Sequence, residues 1–178
     1  KRNYTKRMND NKVDCMITAK KYEKDYWDGD RKFGYGGYKY IPSLWTPIAK
    51  KIIKEYKLSN LSNIIDLGCG KGFLLYEIIK ILPEIKITGV DISTHGIKGS
   101  PEEIKPYLIK LDAKKKLPFK DKEFDLLLSL GLLHNFRINE VKDCIYEVNR
   151  ISKKSYIMVE SYRNEKGLFN LQCWALTA

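Results

Sequence analysis

The chain has 178 residues, of which 43% are apolar and 31% are charged. This length suits one domain with a sizeable core, and the composition excludes a disordered, collagen-like or membrane-spanning protein. The 33 Lys and Arg residues outnumber the 22 Asp and Glu residues, which gives a net charge of +11. Most of the excess lies before residue 58, so we expect a basic, aromatic-rich N-terminal extension over residues 1–57 and a folded core over residues 58–178.

The uncharged runs, the opening residues and the cysteines give no sign of a membrane helix, a secretory signal or a zinc site. The longest uncharged runs, 126–136 and 167–178, are too short for a membrane helix of about 20 residues. The opening residues KRNYTKRMND contain no apolar stretch typical of a secretory signal. The four cysteines are far apart, without C-x-x-C spacing or a neighbouring histidine. We therefore expect a cytoplasmic protein with reduced thiols, no metal and no membrane contact.

The predicted elements alternate between helices and strands. Thr46 followed by Pro47 opens a helix, and four of its side chains should face inward: Ile48, Ile52, Ile53 and Tyr56. Apolar spacing predicts further helices over 73–82 and from Asn139 onward, whereas glycines and Pro101 make 93–104 a poor helix. Five apolar runs predict buried strands: 63–66, 85–91, 107–112, 124–130 and 155–160.

This alternation predicts the α/β class with a doubly wound, mostly parallel sheet. Such sheets usually have one or two more strands than the five predicted, and residues 161–178 are too few to supply them. Either C-terminal strands are missing from this sequence, or one edge of the sheet is covered differently.

Polar residues and glycines follow four consecutive predicted strands. Gly68 and Gly70 permit a tight turn and close approach of the backbone to a ligand. The segment does not match the dinucleotide motif G-x-G-x-x-G, because Phe73 stands at its last glycine. Asp91 lies where a carboxylate binds ribose hydroxyls in nucleotide-binding folds. Asp66 would repel a pyrophosphate but attract an ammonium or sulfonium group, which favours S-adenosylmethionine over NAD.

The four strand-end motifs together resemble a known family. The runs IIDLGCGKGFLLYEI, GVDIS, LDAKKKLPF and FDLLLSLGLLHNF are similar in order and spacing to class I S-adenosylmethionine-dependent methyltransferases of the small-molecule, methyltransferase-11-like type. The resemblance covers residues 61–161. It implies a Rossmann-like fold, S-adenosyl-L-methionine as cofactor and S-adenosyl-L-homocysteine as product.

The resemblance also implies roles for individual residues. Asp66, Gly68, Cys69 and Gly70 would line the methionine half of the cofactor, and Asp91 would bind both ribose hydroxyls. The adenine and sulfonium ends would be bound by four more residues: Ile92, Asp112, Ala113 and Leu130. Each aspartate alone is also a common turn residue, but three at consecutive strand ends favour a site.

The residues that would bind the methyl acceptor are less well specified. His134 follows the fourth strand, where it would bind the acceptor, remove its proton, or only cap the loop. In the glycine-rich stretch 31–40, Tyr35 and Tyr38 predict a lid over the site, with packing on the sheet as the alternative. Glu160 and Tyr162 follow the fifth strand and are further acceptor-binding candidates, with surface salt bridges as their alternative.

The sequence therefore predicts an enzyme that methylates an O or N nucleophile of a small-molecule acceptor. The basic extension supports nucleic acid, such as RNA, as an alternative acceptor. A non-catalytic cofactor-binding subunit is the other alternative. The oligomeric state is not specified by any of these features.

Overall fold

A computed structural model describes residues 4–176. The chain forms two compact units. The core unit is Tyr40–Val159. The flanking unit combines the described parts of residues 1–39 and 160–178. The helix that precedes the sheet, Thr46–Tyr56, belongs to the core unit, although it falls within the extension over residues 1–57 that the sequence suggested.

The helices of the described residues are, in chain order, α1 (Tyr4–Asn9), α2 (Lys12–Ala19), α3 (Lys24–Asp28), α4 (Thr46–Tyr56), α5 (Phe73–Ile81), α6 (Thr94–Lys98), α7 (Ile138–Ile151) and α8 (Glu165–Gln172). Two 3₁₀ turns, Lys105–Tyr107 and Leu133–Asn135, lie between them. Within residues 4–176, no helix has both the length and the apolar character needed to cross a bilayer.

Five parallel strands form the sheet of the core unit: β1 (Asn63–Leu67), β2 (Lys86–Asp91), β3 (Leu108–Lys110), β4 (Phe124–Leu130) and β5 (Ser152–Met158). Their order is β3-β2-β1-β4-β5, so the direction of winding reverses between β1 and β4. This arrangement confirms the predicted α/β class with a doubly wound parallel sheet.

The edge strands differ most from the prediction. The strand expected over 155–160 as a buried segment begins three residues earlier, and most of its side chains are exposed. The prediction of burial was wrong because β5 lies at the edge of the described sheet. β3 forms only three residues of the 107–112 run, whereas β4 has the predicted bounds.

Apolar side chains cover both faces of the sheet. On one face, Ile64, Leu126 and Leu128 pack with α4 and α5. On the other face, Ile65 and Leu127 pack with α7. The expected inward face of α4 needs one correction, because Ile48 is 40% exposed and Ala49 is fully buried in its place.

The flanking unit has its own apolar cluster. It consists of Ala19, Tyr26, Trp27, Ala175 and Leu176, with Tyr22, Tyr38 and Trp174 packed against it. The rings of Tyr35 and Trp27 stack with centroids 5.4 Å apart and planes 5° from parallel. The aromatic residues near position 35 therefore pack on one another within this unit.

A buried carboxylate joins α5 to the segment that precedes it. Glu77 is 2% exposed and accepts hydrogen bonds from the hydroxyl groups of Tyr40 and Thr46. Lys80 Nζ donates to Glu77 Oε1 over 2.9 Å. Burial alone would raise the pKa of Glu77, but the hydrogen bonds from Thr46, Tyr40 and Lys80 outweigh it and lower the pKa to about 2.

Replacing Glu77 should therefore destabilise the core unit. Glu77→Ala is expected to lower the free energy of unfolding by about 2–4 kcal/mol at pH 7, because the three donors lose their buried acceptor. Since the folded-state pKa is depressed, the contribution of Glu77 is present above its ordinary value of 4.5 and is lost as the pH falls towards about 2. Urea unfolding at pH 7 and pH 3 measures both effects. Glu84→Ala, at an exposed glutamate, is the control, and an equal loss in both variants would contradict this role.

Candidate functional site

The carboxyl ends of the parallel strands bring the predicted cofactor-binding residues to one edge of the sheet. Asp66 is the penultimate residue of β1, and Asp91 is the last residue of β2. Leu130 is the last residue of β4. These three strands are neighbours, with β1 in the middle, so the three residues lie beside the point where the winding reverses, which is where ligands bind in such sheets.

The loop after β1 is shaped by glycine. Gly68, Gly70 and Gly72 have φ angles of +76°, +57° and +67°, which side chains other than glycine rarely adopt. The amides of Gly68 and Cys69 donate to Val90 O of β2 over 2.8 and 3.1 Å. The loop therefore folds back across the end of β2 before α5 begins at Phe73.

Asp91 holds two backbone amides. Its Oδ2 accepts from Gly70 N over 2.7 Å, and its Oδ1 accepts from Ser93 N over 2.8 Å. Because Asp91 is only 8% exposed, these bonds fix the carboxylate between the glycine loop and the start of α6. Ser93 in turn caps α6 by accepting from Gly96 N over 2.8 Å.

Asp66 lies in a buried and negatively charged environment. It is 5% exposed, and burial together with the neighbouring charge of Asp91 raises its pKa to about 7. Burial and the same two carboxylates also raise the pKa of the Cys69 thiol well above its usual value. A cationic group placed beside Asp66 would relieve both effects, so the site suits a positively charged ligand.

The residues predicted to bind adenine lie at the ends of β2 and β3. Ile92 is 43% exposed, which leaves its side chain available to a planar ligand. Asp112 Oδ1 accepts from Lys114 N over 3.0 Å, and Ala113 is buried. This bond is typical of a turn aspartate, and the adenine roles of these residues stay predictions.

His134 lies on the 3₁₀ turn that follows β4, and its side chain is half-buried. The turn begins at Gly131, whose φ is +80°. His134 therefore belongs to the same sheet edge as Asp66, Asp91 and Leu130. Its catalytic role stays a prediction.

The other acceptor-binding candidates belong to the flanking unit. The ring of Tyr35 packs against Tyr38 with centroids 4.7 Å apart, and it also stacks on Trp27. Glu160 and Tyr162 lie after β5, which ends at Met158 rather than at residue 160, and both are exposed. Their proposed contacts with an acceptor stay predictions.

Three residues of the site were not singled out from the sequence. Leu132 contacts the glycine loop, since a Cβ atom at Gly68 would lie 3.0 Å from Leu132 Cβ. Ser93 joins Asp91 to α6, and a serine is a common residue before a helix, but the glycines of residues 93–104 concealed this short helix. Gly89 of β2 makes room for the thiol of Cys69, because a Cβ atom there would lie 2.9 Å from Sγ.

A family model described as a methyltransferase domain matches residues 58–176. The chain belongs to this family. The match covers the sheet edge described above, and it bears out the resemblance of the four motifs to class I S-adenosylmethionine-dependent methyltransferases. Family and fold together identify S-adenosylmethionine as the cofactor, and the buried carboxylates, the glycine loop and the exposed Ile92 fit a cationic nucleoside of that kind.

Two curated relatives are similar to part of the chain. The chain is 28% identical over 109 residues to the mouse (Mus musculus) protein named arginine-hydroxylase NDUFAF5, mitochondrial, covering 61% of this chain and 31% of that protein. It is 30% identical over 103 residues to a tRNA U34 carboxymethyltransferase of Nautilia profundicola, covering 54% of this chain and 33% of that protein. The chain thus spans about a third of the length of these relatives.

Among solved structures, the fold is similar to that of a Methanococcus maripaludis protein described as a candidate S-adenosyl-L-methionine-dependent methyltransferase. The TM-score is 0.56 at 24% sequence identity, covering 64% of this chain and 54% of the other. At this identity, the likeness supports the shared fold. Among residues 4–176, no group of three or more His, Cys, Asp or Glu side chains is arranged to hold a metal ion.

The raised pKa of Asp66 predicts pH-dependent cofactor binding. A cationic ligand requires the ionised carboxylate, so the affinity for S-adenosylmethionine should rise as the pH increases from 5.5 towards about 7. Calorimetry across this range measures the effect, with Asp66→Asn as the comparison. The variant should bind weakly, and its affinity should lack this dependence. An affinity of the unmodified protein that is flat or falls over this range would contradict the role of Asp66.

Asp91 should contribute directly to cofactor affinity. Asp91→Ala is expected to weaken the binding of S-adenosylhomocysteine by about 1–3 kcal/mol, because the ribose hydroxyls lose a charged acceptor. Asp121→Ala, at a largely exposed aspartate beside Arg150, is the matched control for loss of a carboxylate. Unchanged affinity in Asp91→Ala would show that the ribose binds elsewhere.

Proposed function

We propose that this chain transfers a methyl group from S-adenosylmethionine to an oxygen or nitrogen nucleophile of a small metabolite. The observation that carries the proposal is the buried pair Asp66 and Asp91, which lies beside a glycine loop at the carboxyl ends of β1 and β2. S-adenosylmethionine supplies a methyl group already activated by its positive sulfur. The task of the protein is therefore to align the nucleophile with that group and to exclude water.

His134 is the proposed general base. A base is needed only when the acceptor is a hydroxyl or a protonated amine. Imidazole titrates near neutral pH, and His134 lies on a half-buried turn at the cofactor edge of the sheet. Tyr35, Tyr38, Glu160 and Tyr162 remain the proposed acceptor-binding residues.

RNA is the second candidate acceptor. Two observations favour it: the net charge of +11, and the Nautilia profundicola relative named as a tRNA carboxymethyltransferase. The small-molecule proposal is preferred because Trp27 is buried and Tyr35 already stacks on it. Rings packed in this way offer less of their faces to an unstacked base, so we propose that Tyr35 and Tyr38 contact a small acceptor through their edges.

The relatives do not share one reaction, since the mouse relative is named for arginine hydroxylation. Methyl transfer is therefore supported by the match of residues 58–176 to a methyltransferase domain, and the charge complementarity between Asp66, Asp91 and a sulfonium cofactor supports the cofactor. The proposed compartment is the cytoplasm, on the basis that all four cysteines are free thiols.

A screen of labelled methyl transfer to hydroxyl metabolites, amines and RNA, each at low and high salt, tests this function. A small acceptor should be methylated at both salt concentrations, whereas transfer to RNA should fall steeply with salt. His134→Gln should lower kcat for the acceptor by about 10²–10⁴-fold, because the general base is lost. His95→Gln, at the other histidine, should leave kcat unchanged.

Salt-sensitive transfer to RNA alone would replace the small-molecule proposal by the second candidate. Cofactor binding without transfer to any acceptor would indicate a non-catalytic cofactor-binding subunit. An equal effect of the two histidine variants would contradict the role of His134 as the base.

A further inference from the structure

The turn between β4 and α7 is tied to its surroundings by backbone hydrogen bonds. Gly131 N donates to Met158 O of β5 over 2.9 Å, and the positive φ of Gly131 turns the chain away from the sheet. Asn135 N then donates to Leu132 O over 3.0 Å, and Phe136 N donates to Leu133 O over 3.1 Å. These bonds close one short turn over residues 131–136.

The side chain of Asn135 adds two hydrogen bonds to the backbone bonds of this turn. Its Nδ2 atom donates to Gly131 O and to Leu132 O, each over 3.1 Å. The side chain is half-buried, so these bonds are partly shielded from competing water. A single amide group therefore fixes two consecutive carbonyls just before His134.

The turn over residues 131–136 contacts both the glycine loop after β1, which is the proposed cofactor loop, and the core. Leu132 lies against Gly68, since a Cβ atom at Gly68 would be 3.0 Å from Leu132 Cβ and 3.1 Å from its Cδ1. Leu133 is buried between the sheet and α7. His134 follows directly, so the conformation of this turn sets the position of its ring relative to the glycine loop.

We propose that Asn135 is a positioning residue of the methyl-transfer site. By fixing the carbonyls of Gly131 and Leu132, its amide holds Leu132 against the cofactor loop and presents His134 to the acceptor. A misplacement of about 1 Å in a reacting group can cost about 10²-fold in rate. The kinetic part of this proposal rests on the proposed methyl transfer, whereas the structural part does not.

The test compares Asn135→Ala with Asn135→Asp. Aspartate keeps the size of asparagine but replaces the donor by a carboxylate that repels both carbonyls. Asn139→Ala, at an exposed residue in the first turn of α7, is the control. Amide exchange over residues 131–136 is measured with and without S-adenosylhomocysteine. The values of kcat and of KM for S-adenosylmethionine are measured with the acceptor that the transfer screen identifies.

We expect exchange over residues 131–136 to become at least tenfold faster in both Asn135 variants, and the protection given by S-adenosylhomocysteine to be lost there. The value of kcat should fall at least tenfold, with KM for S-adenosylmethionine changing less than threefold. The Asp variant should be at least as impaired as the Ala variant. An Asp variant that behaves like the unmodified protein would overturn the proposal, because side-chain volume alone would then suffice.

The exchange measurement separates this proposal from the proposed function. If no acceptor is methylated by the unmodified protein, but exchange in the turn rises as expected, the positioning role stands and methyl transfer fails. If methyl transfer is found, but exchange and kcat match those of Asn139→Ala, the positioning role fails alone.

Discussion

The burial of two carboxylates at the ends of adjacent strands is the constraint on which the site depends. β1 and β2 are parallel neighbours in register, with Asp66 opposite Gly89 and Leu67 opposite Val90, so Asp66 and Asp91 emerge at the same edge. Like charges in a buried site are unfavourable without a cation. The raised pKa of Asp66 expresses this cost, and a cationic cofactor relieves it.

Comparison with Glu77 shows how the same chemical group serves two purposes. Glu77 is also buried, but the hydroxyl groups of Thr46 and Tyr40 and the ammonium group of Lys80 lower its pKa to about 2. Its negative charge is stabilised inside the protein, and the result is a structural link between α5 and the preceding segment. Burial and the charge of Asp91 instead raise the pKa of Asp66. No ammonium group among the described residues lowers it as Lys80 lowers that of Glu77, so Asp66 is suited to bind an external cation.

The sequence predicted the parts of this structure that depend on local pattern. β4 was found with its predicted bounds because five of its seven residues are apolar and it lies inside the sheet, between β1 and β5. β5 was misplaced because an exposed edge strand lacks an apolar signal, and its polar start at Ser152 reads as a loop. The contact of Leu132 with Gly68 and the packing of residues 174–176 with residues 19–27 join positions far apart in the chain. Such tertiary contacts leave no periodic signal in the sequence.

The most direct measurement of cofactor binding is calorimetric titration of the chain at pH 7.5 with three compounds: S-adenosylmethionine, S-adenosylhomocysteine and the dinucleotide NAD. We expect both adenosyl compounds to bind, the sulfonium form more tightly because its additional positive charge would lie near Asp66, and we expect no measurable heat with NAD. Binding of NAD with comparable affinity, or no heat with either adenosyl compound at high micromolar concentration, would show that the buried carboxylates do not form this cofactor site.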